Sequence, residues 1–229
     1  MITINNNFMD VKFYTREDLP EDIAGDVNAT KSFLNLAGNI LAPSQVHGKN
    51  IIAPDEKEKN ILPARPEADG VYLSDLNFTV MMRYADCAPV IIYPDENWAK
   101  ENYKFVVVLH SGFRGTVLNI VDEAVKKFNI PAQICSAWIG PCVGFEDYSR
   151  FNDEWTQKGL DVFHDKNLRV QDRFYFFDIA GEITSQLKNC GIPEQNILNS
   201  NINTFRDLKC YSYRRGDKLA RMALVAKLI

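Results

Sequence analysis

The segment 104-KFVVVLHSGFRGTVLNIVDEAVKKF-128 changes its hydrophobic period part-way along. Residues 104–109 form a near-continuous apolar run, which is typical of a strand buried on both faces. After Gly115 the apolar residues recur at the three- and four-residue spacing of a helix, until Pro131. The segment therefore predicts a strand that ends at His110, a glycine-marked turn and a helix that starts at this turn.

Strands are predicted on both sides of this segment by their β-branched and aromatic content or by alternation: 71–73, 78–83, 89–93, 133–139 and the tail 222–228. A further helix is predicted after Asp178, whose side chain would cap it. Loops are predicted over 53–66, with its prolines and charge run, and over 94–103. Strands and helices mix without a regular βαβ repeat, so we predict an α+β fold with a mixed sheet or a layered sandwich.

Composition is that of an ordinary globular domain. The chain has 229 residues, of which 46% are hydrophobic and 24% are charged, so we expect a single domain over residues 1–229. The net charge of −4 and the lack of a long basic run argue against nucleic acid or an anionic membrane as a partner. No signal-peptide pattern and no apolar run of spanning length is seen, and the odd number of cysteines fits reduced thiols, so a cytoplasmic location is expected. Oligomeric state is left open.

Few side chains in the chain are good metal ligands, and they fall at informative places. Two of the three histidines, His47 and His110, lie in glycine-marked turns, and Cys87 follows a predicted strand between them. Two imidazoles and a thiolate suit a three-ligand zinc site with an open fourth position, which is the arrangement of catalytic zinc. Two alternatives remain: the histidines cap turns and the cysteine packs in the core, or a structural zinc serves a binding module.

Six short blocks occur in a characteristic order: QVHG (45–48), ADG (68–70), ADCAP (85–89), HSGFRG (110–115), IGP (139–141) and SYRR (212–215). Together they resemble the laccase-domain family, once called multicopper polyphenol oxidases, from about Gln45 to the C-terminus. The resemblance implies that His47, Cys87 and His110 bind Zn²⁺. It also implies an α/β/β/α-like sandwich, with helices on the outside and the ligands gathered in a pocket.

This chain departs from the family pattern at three positions. Tyr84 replaces a threonine, Phe113 replaces a tryptophan and Asn203 replaces a cysteine. The N-terminal third also lacks the usual glycine- and serine-rich opening segment. We therefore expect substrate preference to differ from that of other members.

The resemblance implies a purine nucleoside phosphorylase, acting on adenosine, inosine and methylthioadenosine, with adenosine deaminase activity at the same site. Phosphorolysis needs an anion site, and Arg114 beside a helix start would supply it. Further phosphate candidates are Arg214 and Arg215, since guanidinium groups suit phosphate oxygens. The purine would stack on an aromatic wall formed by Tyr84, Phe113 or Tyr148. The alternative for Arg114 is a pair with a carboxylate, and the alternative for Arg214 and Arg215 is a surface charge cluster.

Two other chemistries use the same residues. A metal-free cysteine hydrolase would take Cys87 as nucleophile, His110 or His47 as base and Asp86 as the group that orients the base. A copper polyphenol oxidase would place copper in the same site, but three histidines are too few for a multicopper centre, so bound copper would be adventitious. The H-x-E and P-C-x-x-C motifs of cytidine-type zinc deaminases are absent from the sequence.

Overall fold

The computed structural model describes residues 1–54 and 65–229, so most of the predicted loop over 53–66 lies outside the described residues. The strands are β1 (Ile2–Asn5), β2 (Met9–Tyr14), β3 (Asn39–Leu41), β4 (Ile51–Ile52), β5 (Gly70–Leu73), β6 (Phe78–Tyr84), β7 (Ala88–Pro94), β8 (Val106–Ser111), β9 (Cys135–Ile139), β10 (Ser149–Arg150), β11 (Leu168–Gln171), β12 (Phe174–Phe177), β13 (Ile197–Asn199) and β14 (Met222–Leu228). The helices are α1 (Glu21–Ala24), α2 (Val27–Phe33), α3 (Glu96–Glu101), α4 (Phe113–Val117), α5 (Ile120–Lys127), α6 (Glu154–Val162) and α7 (Ile179–Asn189). In the described part of the chain, no helix has the length and apolar character needed to cross a membrane.

The strands form two large mixed sheets and one small sheet. The first sheet has the order β1-β2-β14-β6-β3, and only its β3–β6 pair is parallel. The second sheet has the order β13-β9-β7-β8-β5-β4, with parallel pairs at its two edges. The small sheet, β10-β12-β11, is antiparallel. The predicted strands are thus confirmed, although the one expected over 133–139 begins at Cys135.

The two large sheets pack face to face around one apolar core. Phe13 of the first sheet contacts Trp138 of the second, with ring centroids 6.1 Å apart, and Tyr84, Val108 and Leu224 belong to the same buried cluster. Because these side chains come from both sheets, the core lies between them. The sandwich expected from the sequence is confirmed.

Helices cover the outer faces of both sheets. On the second sheet, Val107 packs in a cluster with Val121 of α5 and Ile183 of α7. On the first sheet, Val27 of α2 packs with Val225 of β14. The predicted tail strand is therefore buried on both faces, and the layers follow the α/β/β/α order that the family resemblance implies.

The loop prediction over 94–103 is wrong, because this stretch contains α3. Asp95 caps the helix by accepting backbone N–H bonds from Asn97 at 2.9 Å and Trp98 at 3.3 Å. The Trp98 ring then packs edge-on against Tyr103, 5.0 Å between centroids. A carboxylate cap and a packed aromatic ring offset the low helical periodicity of this short segment.

The helix predicted after Gly115 begins earlier, at Phe113, and is divided into α4 and α5. The division occurs at Asn119, which adopts a left-handed backbone conformation with φ of 54°. Its side chain accepts a hydrogen bond from the N–H of Asp122 at 3.3 Å and so caps α5. Asparagine tolerates this conformation better than most residues, which explains why the chain turns there.

Candidate metal centre and its pocket

The register of three adjacent strands brings distant parts of the sequence together. In the second sheet β8 lies between β7 and β5, so that His110 is opposite Pro89 and Leu109 is opposite Gly70. The N–H of His110 also donates to the carbonyl of Asp69 at 2.7 Å. The segments before Pro89 and before Gly70 therefore both end beside His110.

Cys87 lies where the chain passes from one sheet to the other. β6 belongs to the first sheet and β7 to the second, and the turn at 85–87 connects them. Asp86 in this turn has a φ of 81°, a strained value for a residue with a side chain. Its carboxylate accepts hydrogen bonds from the Thr204 hydroxyl and the Arg214 N–H, both at 2.7 Å. Asp86 therefore fixes the turn that presents Cys87.

The three predicted ligands converge. One ligand atom from each of His47, Cys87 and His110 lies within 4.8 Å of the other two. His47 is exposed, Cys87 is half-buried and His110 is buried, so the cluster faces the solvent on one side. Gly112 makes the close approach possible, because a Cβ there would lie 2.5 Å from the Cys87 Sγ. The arrangement fits three ligands with an accessible fourth position.

Asp69 connects the two histidines and is the site residue that the sequence interpretation missed. It is fully buried, and its Oδ1 lies 2.8 Å from His110 Nδ1 and accepts the His47 N–H at 2.9 Å. Its Oδ2 accepts the N–H groups of Gly48 at 2.7 Å and Val46 at 3.2 Å. With Nδ1–H donated to this carboxylate, the Nε2 of His110 is left to bind a metal. The only signal for Asp69 in the sequence was its place in the ADG block.

Asp69 also holds the His47 turn in an unfavourable conformation. His47 has a φ of 61°, in the left-handed region that favours glycine. Burial alone would raise the pKa of Asp69, but the hydrogen bond and charge of His110 and the N–H groups of Gly48 and His47 lower it below its ordinary value. The carboxylate is therefore ionised and can hold the strained turn.

The electrostatics of the cluster favour a thiolate. Burial raises the pKa of Cys87, but the charge and hydrogen bonds of His110 and His47 outweigh burial and lower it to about 6. Burial has the opposite effect on His110, whose pKa it lowers, but Cys87 and Asp69 outweigh burial and raise the pKa of His110 to about 9. Near neutral pH the metal-free cluster thus carries a thiolate beside an imidazolium, and the thiolate is the form of cysteine that binds metals.

The cluster opens into a cavity of about 660 Å³ with a strongly basic lining. Six arginines contribute to its walls: Arg65, Arg83, Arg114, Arg150, Arg214 and Arg221. Asp86 is the one carboxylate among the described lining residues, and both of its oxygens are already hydrogen-bonded. The described lining therefore carries an excess of positive charge. Four of these arginines were not predicted, because they are scattered singly along the chain.

The predicted phosphate residues separate into two groups. Arg114 lies in the first turn of α4 with its guanidinium 4.9 Å from the centre of the Trp155 ring, and Arg214 lies 4.7 Å from that of Tyr148; both line the cavity. Arg215 does not belong there. Its guanidinium donates to the carboxylate of Asp217 and to four backbone carbonyls, those of Thr204, Phe205, Asp207 and Cys210. Arg215 therefore stabilises the loop, and the expectation that it binds phosphate is corrected.

The aromatic walls also differ from expectation. Tyr84 is fully buried behind His110 and donates its hydroxyl to the Leu109 carbonyl at 3.1 Å, so it offers no face for stacking. Phe113 lines the cavity, but the guanidinium of Arg150 covers its ring at 4.3 Å. Tyr148 also lines the cavity, and the guanidinium of Arg214 lies over one face of its ring at 4.7 Å. Tyr213, half-exposed at the cavity with the Lys218 Nζ 3.8 Å from its ring centre, is an additional candidate.

Residues 6–229 match the model of the family described as multi-copper polyphenol oxidoreductase laccase. The chain belongs to this family. The match begins well before Gln45, so the family pattern extends through the N-terminal part that lacks the usual opening segment. The resemblance seen in the sequence blocks is confirmed.

Several relatives in this family are named as enzymes. Purine nucleoside phosphorylase RC0672 of Rickettsia conorii is 30% identical over 163 residues, which cover 69% of this chain and 63% of that protein. Purine nucleoside phosphorylase SAR1163 of Staphylococcus aureus is 28% identical over 202 residues, which cover 82% and 74% of the two chains. The chain thus spans less than two-thirds of the length of the Rickettsia relative.

Solved structures support the same fold. The hypothetical protein YfiH of Bacillus licheniformis superposes with a TM-score of 0.79 at 20% identity, over 96% of this chain and 93% of that one. Protein NMB0706 of Neisseria meningitidis gives a TM-score of 0.77 at 16% identity, over 99% and 98%. At these identities the likeness establishes the sandwich architecture.

Proposed function

We propose that the protein is a purine nucleoside phosphorylase that also deaminates adenosine, with a single Zn²⁺ held by His47, Cys87 and His110. The observation that carries the proposal is a three-ligand cluster at the side of a cavity walled by six arginines. Such a pairing suits phosphorolysis, because an anion must attack beside a group that stabilises the leaving base. The names of the Rickettsia and Staphylococcus relatives support the same reaction.

The donor atoms fit zinc better than a multicopper centre. Zinc accepts imidazole and thiolate ligands together in tetrahedral geometry. The third histidine, His164, is not in the cluster, because its ring lies 3.1 Å from the carboxylate of Glu182. Two histidines and one cysteine do not supply the histidine-rich ligands of a type-1 and trinuclear copper assembly. Bound zinc would supply Lewis-acid polarisation of the leaving base or of a water molecule.

The residues of the chain would divide the work as follows. Arg114, assisted by Arg214, holds the attacking phosphate by charge-assisted hydrogen bonds, and Tyr148 or Tyr213 stacks on the purine. A phosphate oxygen forms the bond to C1′ of the ribose while the bond from C1′ to the purine nitrogen breaks. The purine leaves with the electron pair and takes up the proton that the hydrogen phosphate ion loses when it becomes the sugar phosphate. Asp69 keeps the Nδ1 proton on His110 throughout.

Deamination of adenosine would use the same cavity with water in place of phosphate. The solvent-facing side of the cluster, where His47 is exposed, leaves room for that water. Because the cavity is rich in arginines, phosphate competes with water for the site. We therefore expect phosphorolysis to dominate when phosphate is abundant.

A metal-free cysteine hydrolase is favoured by one observation, the thiolate of Cys87 beside His110, since a low thiol pKa marks reactive cysteines. The structure puts Asp69, and not Asp86, against the candidate base His110. Asp69 would therefore be the orienting residue of such a hydrolase. The two functions differ in whether the thiolate is bound to metal or free to attack.

The test is metal analysis together with a phosphate-dependent nucleoside assay. We expect about one zinc per chain, release of free base from inosine only when phosphate is added, and loss of both zinc and activity in Cys87→Ala, His47→Ala and His110→Ala. His164→Ala is the matched control and should keep both. A wild-type protein that holds zinc but cleaves no purine nucleoside would refute the assignment, and full zinc content in the three ligand variants would refute the metal site.

A further inference from the structure

The arginines of the cavity fall into two groups by their place in the fold, although Arg221 of the second group also lies over an aromatic ring, that of Tyr213 at 5.6 Å. Arg114, Arg150 and Arg214 stack on aromatic rings of the helical side of the molecule: Trp155, Phe113 and Tyr148. The other three, Arg65, Arg83 and Arg221, lie around the end of α1 and the ends of strands in the first sheet; we call them the first-sheet arginines. The proposed phosphate site uses Arg114 and Arg214 of the first group and leaves the first-sheet arginines without a function.

The first-sheet arginines are fixed by neutral partners. Arg83, in β6, donates from Nη2 to the Ala24 carbonyl at 2.6 Å. The Nη1 of Arg221 donates to three backbone carbonyls, those of Asp217, Lys218 and Ala220, at 2.8 to 3.3 Å. The Nε of Arg65 donates to the carbonyl of Ala42 at 3.2 Å. Across residues 1–54 and 65–229, no carboxylate forms an ion pair with any of the three. The charge of Asp26 acts on Arg83 and Arg65 without an ion pair, so their positive charges are offset only in part.

This arrangement is electrostatically costly. Burial lowers the pKa of Arg83 to about 10, and the neighbouring charges of Arg221 and Arg65 act in the same direction, against a smaller effect of Asp26. The Nε of Arg83 is buried and has no hydrogen-bond partner among the residues that the structure describes. A half-buried guanidinium with two cationic neighbours is a group whose positive charge a nearby anion would stabilise, even though the enclosed Nε itself does not face the ligand.

We propose that the first-sheet arginines form a second anion site of the cavity, which binds a phosphate-type oxyanion separately from the site at Arg114. The choice of ligand rests on the proposed function, because a phosphorylase handles phosphate. The oxyanion is either free phosphate or a phosphoryl group carried by the nucleoside itself. In the second case the substrate class includes nucleoside monophosphates, and phosphorolysis of one would yield a ribose bearing two phosphates.

The test measures binding, so that it does not depend on turnover. Isothermal titration of the zinc-loaded protein with inorganic phosphate is compared in the wild type, Arg83→Met and Arg65→Met. Arg173→Met is the matched control, because Arg173 is exposed, lies over the rings of Phe151 and Phe174 and does not line the cavity. We expect two sites in the wild type and in the control, and at least about a tenfold loss of affinity at one site in Arg83→Met and Arg65→Met.

A second arm identifies the source of the anion. If the phosphoryl group is carried by the nucleoside, adenosine 5′-monophosphate binds at least about tenfold more tightly than adenosine, and Arg83→Met removes the difference. If it binds no more tightly but phosphate affinity still falls in Arg83→Met, the site takes free phosphate. Affinities for both probes that match the control in Arg83→Met and Arg65→Met would overturn the proposal. A lack of phosphorolysis in the wild type would refute the proposed function and leave these binding results intact.

Discussion

Replacing Asp69 with asparagine tests the hydrogen-bond network that prepares the metal site. Each carboxylate oxygen serves two donors: Oδ1 contacts His110 Nδ1 and the His47 N–H, and Oδ2 accepts from Gly48 and Val46. An asparagine must turn its NH2 group toward one pair or the other. If the NH2 group faces His110, it donates to Nδ1 and favours the tautomer with hydrogen on Nε2, which removes the lone pair that binds metal. If the NH2 group faces Gly48 instead, it meets the N–H groups of Gly48 and Val46, which then have no acceptor, and the His47 turn is released.

Either orientation weakens zinc binding and the fold. Loss of an outer-shell partner typically costs 10- to 100-fold in metal affinity, or about 1.4 to 2.8 kcal/mol. In the orientation toward Gly48, two part-buried N–H groups lose their acceptor, which lowers the free energy of unfolding of the metal-free protein by about 1 to 3 kcal/mol. We expect Asp69→Asn to show both effects.

The assay is zinc competition against a chromophoric chelator, with urea unfolding of the chelated protein. Asp95→Asn is the control, because Asp95 caps α3 away from the cavity, so it should bind zinc as the wild type does. Wild-type zinc affinity in Asp69→Asn would show that the histidine tautomer and the His47 turn do not depend on this carboxylate. That result would refute the reasoning.

Three further predictions concern single residues. Cys87 should resist alkylation while metal is bound. In the chelated protein its labelling rate should follow a thiol of pKa about 6, so the rate falls as the pH drops below 6 and no longer rises through pH 9. Rapid labelling of the metallated protein would instead support the hydrolase. Arg114→Ala should reduce phosphorolysis of inosine by about tenfold or more, since a charge-assisted hydrogen bond contributes about 1.5 to 3 kcal/mol. The same variant should lose much less of its activity in the deamination of adenosine. Equal loss of both activities would mean that Arg114 positions the whole site. Arg215→Met should lower the free energy of unfolding by about 3 kcal/mol or more, because four carbonyls and a carboxylate lose their donor. The affinity for phosphate, measured by titration, should remain that of the wild type. A lower affinity would contradict a purely structural role for Arg215.

Local sequence signals predicted much of the fold because their physical causes are local. Residues 104–128 carry a buried-strand pattern followed by a helical period, and β8, α4 and α5 lie there. Asp178 caps α7 by accepting the Gly181 N–H at 2.9 Å, as predicted. The wrong loop prediction over 94–103 also has a local cause. Helix α3 depends on a cap and one packed tryptophan, which short-range periodicity does not reveal.

The site divides in another way. The sequence by itself determined the three candidate ligands, because histidines are few and each ligand lies in a recognisable block. It also made Arg114 a candidate anion-site residue beside a predicted helix start, with an ion pair as the alternative, and Arg114 lines the cavity. It did not distinguish Arg214 from Arg215, since neighbouring side chains diverge according to the turn that carries them.

Only the tertiary structure decided what surrounds the ligands. Strand register brought Asp69 to His110 from 41 positions away, and packing of the first sheet brought Arg65, Arg83 and Arg221 to one cavity wall. Tyr84 looked like a pocket wall in the sequence, yet the sandwich buried it behind His110. The physical reason is that a residue's type and local period fix its chemistry and secondary structure, whereas its neighbours depend on which strands pair and which faces pack, and no short stretch of sequence records that pairing.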